Sequence, residues 1–284
     1  MTLQVLASIC LGLLMDAMMN GALPQKPTIG ISCIVSGAYI IINVVLILTY
    51  ALGQQLPCCV STLFSAIGGL LYLMSGRAMI SSWDDSVLYE TELYALIAKR
   101  QVKIVGHLSF LAGLMYLMDA CFTTLWESEE FEDFKNCRDG QPVRVVYEYE
   151  DPRSKEPLFR PVRIIELILV ACCLFLLIYF DDKTEGMCPK FFCLPLYVVF
   201  SSVLLIVLVD IVSQLAGDPI SKVPMFLFSF LASAAFFTAA GVAFSRYSSA
   251  IIASDILLAL GIAASLTAIT FLLNSSLMFR SSFM

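Results

Sequence analysis

Seven side chains able to carry charge or strong hydrogen bonds sit inside or at the edges of long apolar runs: Asp16, Asn43, His107, Asp119, Glu166, Asp210 and Asp255. A carboxylate at the centre of a membrane helix costs roughly 2.5 to 3.5 kcal/mol on insertion scales, so each such residue is a functional candidate by default. Asp119, Asp210 and Asp255 are of the type that forms a proton or cation path. Their depths count against it. Asp119 lies well inside HLSFLAGLMYLMDACFTTLW, residues 107 to 126, whereas Glu166, Asp210 and Asp255 lie near the ends of their runs, within snorkelling reach of the interface. Nor do Gly or Pro interrupt matching runs, the pattern that marks a midplane site. Asp119 is therefore expected to be buried, bonding across a bundle to a neighbouring hydroxyl or amide.

Other chemistry is sparse. The chain has a single histidine, no HExxH, no GxSxG with a His and Asp, no Gly-rich phosphate loop and no CxxC pair. It reads as not an enzyme, with no catalytic residues, no metal ligands and no cofactor. Most of the ten cysteines lie in or beside apolar runs, where a free thiol packs as a small hydrophobe. Cys58 and Cys59 follow Pro57 at an expected helix mouth, a place for S-palmitoylation if that mouth is cytosolic. Cys188 and Cys193 flank another helix start and could pair in an oxidising compartment.

The elements that hold these residues follow from composition. Of 284 residues, 59% are hydrophobic and 14% charged, and the mean hydropathy is +0.86. Soluble domains carry about 25% charged residues, so the solvent here is a lipid bilayer. The net charge of −6 comes mainly from two polar segments and argues against a nucleic-acid partner. Eight runs are long enough to span: 3 to 23, 30 to 54, 58 to 80, 104 to 126, 164 to 180, 192 to 215, 224 to 245 and 250 to 273. The first is read as a span, since a signal peptide would have a basic start and no Asp16 in its apolar run.

Residues 81 to 100 form an aromatic, acidic, exposed loop that could be partly helical, the best partner surface, with Trp83, Asp84, Asp85 and Tyr89 at its front. Residues 127 to 163 form a charged linker in which VRVVYEY could make a local strand.

Sliding the chain on itself by 164 positions places Gly53 on Gly217 and Leu63-Phe64-Ser65 on Leu227-Phe228-Ser229. Span four meets span eight only if the 81 to 100 loop is deleted from the second copy. The expected fold is all-α and polytopic, two four-helix bundles in parallel, with units 1–126 and 164–284 joined by the cytosolic linker 127–163. Lysines and arginines divide almost evenly between the two sides, so the cytosolic N-terminus rests on short termini and a charged linker. Small residues, Ser65, Gly68, Gly69 and Gly76, then Ala232 to Ala235, then Gly261, Ala263 and Ala264, let helices approach closely. Packing within the chain is favoured over a homo-oligomer.

The segment with Gly68-Gly69, Ser75-Gly76, Arg100-Gln101-Val102, Gly106, Gly113 and Leu114-Met115-Tyr116-Leu117-Met118-Asp119 resembles the protein snakeskin family. These are four-span proteins of invertebrate smooth septate junctions with a MARVEL-like bundle. The resemblance covers mainly residues 58 to 126. It implies a plasma-membrane protein at an epithelial barrier junction, partnered by a tetraspanin or a large single-span adhesion protein, with Asp119 a structural feature. The chain departs from the family in being about twice its length, and its second copy lacks the acidic loop and the YLMD element. The alternative expectation is a small-solute or ion transporter or channel using the intramembrane carboxylates.

Overall fold

The computed structural model describes residues 2–19, 27–53, 57–84, 93–136, 161–184, 190–217, 220, 222–247 and 254–283. Backbone groups in hydrocarbon have no water to bond, so each apolar run must close its own hydrogen bonds as a helix. Eight helices and no strand are found among the described residues: α1 Thr2–Met19, α2 Pro27–Ala51, α3 Cys58–Asp84, α4 Leu93–Asn136, α5 Pro161–Lys183, α6 Lys190–Ala216, α7 Lys222–Tyr247 and α8 Ser254–Phe283. The chain is thus an all-α polytopic membrane protein. Seven helices, α2 to α8, are long and apolar enough to cross a bilayer; the described apolar part of α1, Ala7–Asp16, is shorter.

Three boundaries lie ten or more residues from the expected runs: both ends of α4, and the end of α8, which reaches Phe283. At 44 residues α4 is about 66 Å long, so it overruns the membrane at both ends, taking in the end of the 81 to 100 segment and the start of the linker. The VRVVYEY stretch lies outside the described residues.

Contacts between helices close two rings. In one, α1 meets α2, α2 meets α3, α3 meets α4 and α4 returns to α1; in the other, α5 to α8 repeat the circuit. The most extensive pairs are α3 with α4 and α7 with α8. Between the rings α2 meets α6 and α7, and α3 meets α6. With 164 positions separating α2 from α6 and α3 from α7, the α2–α6 contact pairs counterparts, and α2–α7 and α3–α6 are the two equivalent crossed contacts. A shared apolar cluster fills the seam, with Tyr39, Ile42, Val45 and Phe64 of one unit against Ile206, Val209, Met225 and Phe228 of the other.

Local geometry repeats as well. Gly53 and Gly217 end α2 and α6 with φ of 73° and 82°, the left-handed cap that glycine adopts without steric cost. Tyr72 stacks on Tyr116 at 5.6 Å between α3 and α4, and Phe236 on Phe271 at 6.0 Å between α7 and α8. Tyr72 and Phe236 are 164 positions apart and Tyr116 and Phe271 are 155; the second copy is shorter before its last helix.

The α3–α4 pair is close because glycines face each other. A Cβ on Gly76 would lie 2.8 Å from the Gly106 carbonyl oxygen, and one on Gly113 would lie 2.9 Å from that of Gly69. At the position of Gly69 the second unit has Ser233, whose hydroxyl donates to the Ala268 carbonyl at 2.9 Å. One seam is held by backbone contact, the other by a hydrogen bond as well.

Candidate functional site

Among the described residues, the largest concentration of buried charge lies in the second unit. Because α5 starts at Pro161, Arg163 and Glu166 fall in its first two turns, three positions apart and on one face. That face turns inward. Arg163 is 1% exposed, Glu166 0% and Asp210 1%. Arg163 Nη1 donates to Glu166 Oε2, and Arg163 Nε lies 2.8 Å from Asp210 Oδ2 in an ion pair not aligned as a hydrogen bond. Gln214 Nε2 donates to Asp210 Oδ2 at 2.8 Å, and Asn274 Nδ2 donates to Glu166 Oε1 at 2.7 Å. The cluster therefore ties α5, α6 and α8 together. It occupies the end of the bundle where α5 begins and α6 and α8 finish.

The placement corrects one expectation: Glu166 and Asp210 turn into the bundle and do not snorkel. A guanidinium between two carboxylates, with amides completing the shell, satisfies inside the bundle what the interface would otherwise supply. Arg163, Gln214 and Asn274 were not among the sequence candidates. For Arg163 and Gln214 the signal was the i,i+3 spacing with Glu166 and the i,i+4 spacing with Asp210; Asn274 is 108 positions from Glu166 and had no local signal.

The first unit distributes its polar groups differently. Ser65 Oγ donates to Asp119 Oδ2 at 2.7 Å across α3 and α4, yet Asp119 is on the exposed face of α4 and not enclosed. Asn43 Nδ2 donates to the Tyr116 hydroxyl at 2.8 Å, which in turn sits within a cluster of three tyrosine rings, Tyr39, Tyr72 and Tyr116. The Tyr39 hydroxyl donates to the Phe64 carbonyl at 3.0 Å. Gln101 Nε2 donates to Asp16 Oδ2 at 2.8 Å, fastening α1 to α4.

The remaining candidates do not converge. His107 and Asp255 are exposed, and Asp255 stands in the first turn of α8, 19 positions and about 28 Å along the helix from Asn274. The carboxylates Asp119, Asp210 and Asp255 thus form no single path. Among the described residues no group of three or more His, Cys, Asp or Glu could hold a metal ion. Cys59 is free and half-buried at the start of α3; the Cys58 side chain lies outside the described residues. Cys193 is disulfide-bonded, and Cys188, its expected partner, lies outside the described residues. Trp83 and Asp84 belong to the last turn of α3, but their side chains, like Asp85 and Tyr89, lie outside them too. No family model, curated protein or solved structure matches this chain.

Proposed function

We propose that this chain is a non-enzymatic organiser of the plasma membrane, a tandem snakeskin-like protein that acts at an epithelial cell junction by lateral packing with other membrane proteins. The observation that carries the reading is how the resembling segment is used. Each of its glycines, Gly68, Gly69, Gly76, Gly106 and Gly113, sits where an added Cβ would come within 3.0 Å of a neighbour. Residues that carry the resemblance are thus committed to close helix packing, and Asp119 to a bond with Ser65. The end of α3 and the residues after it, with Trp83, Asp84, Asp85 and Tyr89, are then the partner surface for a tetraspanin or a single-span adhesion protein.

The orientation belongs to the same proposal. A disulfide at Cys193 fits an oxidising compartment and supports an orientation with the start of α6 outside. With eight crossings, the N-terminus, the 127–163 linker and the mouth of α3 with Cys58 and Cys59 are then cytosolic, where S-palmitoylation occurs.

The alternative of a transporter or channel draws support from the buried Arg163, Glu166 and Asp210 cluster, since intramembrane charge is a common element of ion pathways. The separation of Asp255 and Asp119 from it weighs on the other side.

A tagged chain expressed in polarised epithelium, with protease protection of the 127–163 linker on the same cells, tests the reading. Enrichment at junctions with a protected linker is expected. Diffuse or organellar staining would overturn the junction role.

A further inference from the structure

Beside the charge cluster lies a small cavity lined by Arg163, Ser229, Val203, Met225, Phe228 and Phe271. Its walls are apolar apart from two groups, and both are orphans: Arg163 Nη2 and Ser229 Oγ are buried with no hydrogen-bond partner. An unpaired polar group in a low-dielectric interior forfeits its hydration without return. The space open to the centre of a water-sized sphere is about 10 Å³, close to what one water requires.

The internal repeat explains why Ser229 lacks a partner. Its counterpart Ser65 donates to Asp119. The residue 155 positions after Asp119 is Asn274, and its amide is turned to Glu166 instead. Ser229 therefore keeps the position of Ser65 without the acceptor, and Arg163 brings a second unmet donor to the same space.

We propose that this cavity is a binding site for one ordered water, which accepts from Arg163 Nη2, bonds Ser229 Oγ and so links α5 to α7. The occupant is neutral because the guanidinium already faces two carboxylates, and an anion would add to their charge. The site is independent of the junctional role.

Hydroxyl-radical labelling by X-ray radiolysis of the intact protein in detergent tests it, since radicals born from a trapped water oxidise the side chains that touch it even when bulk solvent cannot. Met225 lines the cavity and is 3% exposed, while Met79 is 1% exposed and lies elsewhere. Met225 is expected to oxidise several-fold faster than Met79. In Ser229→Val, whose added methyls occupy the space, its rate is expected to fall to that of Met79. Ser229→Ala guards against a misfolded valine variant and should also slow Met225, by removing one of the water's two partners. Equal, slow oxidation of Met225 and Met79 in the unmodified protein would overturn the site, as would a Met225 rate untouched by both substitutions.

Discussion

The rings of Phe64 and Phe228 stack with centroids 6.4 Å apart and planes 30° from parallel, and the two residues are 164 positions apart in the chain. A residue thus meets its own repeat counterpart. Such a contact lies on the axis relating the two units, and the pairing of α2 with α6 and of α3 with α6 against α2 with α7 is what a two-fold relation produces.

Phe64→Ala and Phe228→Ala are expected to destabilise by similar amounts, about 3 to 5 kcal/mol each, because each opens the same seam. Together they should fall short of the sum by about 0.5 to 1.5 kcal/mol, the share that belongs to the ring pair. Thermal unfolding of the two single variants and the double variant in one detergent measures both quantities. Strictly additive losses would mean that the rings touch without coupling.

Arg163→Met leaves two buried carboxylates without their cation and is expected to cost about 3 to 5 kcal/mol. Adding Glu166→Gln and Asp210→Asn to the same chain should restore most of the loss, since a neutral cluster has no charge to strand. Unfolding midpoints of the single and triple variants decide it; a triple variant less stable than Arg163→Met would show that the carboxylates do more than balance the arginine.

At Gly113 an added methyl meets the Leu73 backbone nitrogen at 2.8 Å, so Gly113→Ala should destabilise by about 1 to 3 kcal/mol through overpacking. Gly241 has nothing within 4 Å of its Cβ position. Gly241→Ala should instead be neutral or stabilising by about 0.5 to 1 kcal/mol, through the entropy that a helical glycine loses on folding. The contrast separates helix propensity from the α3–α4 seam.

Asp119→Asn retains an acceptor for the Ser65 hydroxyl on an exposed face, so folding and membrane location are expected to be unchanged, with stability within about 1 kcal/mol. A packing role predicts that outcome. Normal location accompanied by lost ion or proton flux in reconstituted vesicles would favour the transporter reading.

Much of this structure was legible in the residues. Helices are dictated by apolar runs of spanning length, and α2, α3, α6 and α7 lie within a few residues of the runs read from composition. The repeat was legible from Gly53 with Gly217 and Phe64 with Phe228, and Gly53 and Gly217 share one left-handed backbone conformation. By itself, then, the sequence determined the solvent, the secondary structure and the offset of the two copies, because hydrocarbon leaves an apolar chain no other way to satisfy its backbone. The tertiary structure alone decided which faces turn inward. It put Asp119 outside and Glu166, Asp210 and Arg163 inside, the reverse of what depth along each run implied. The physical reason is that lipid is as apolar as a bundle core, so a spanning helix carries little amphipathic pattern to say which side faces its neighbours. Contacts between helices, not positions within them, settle that.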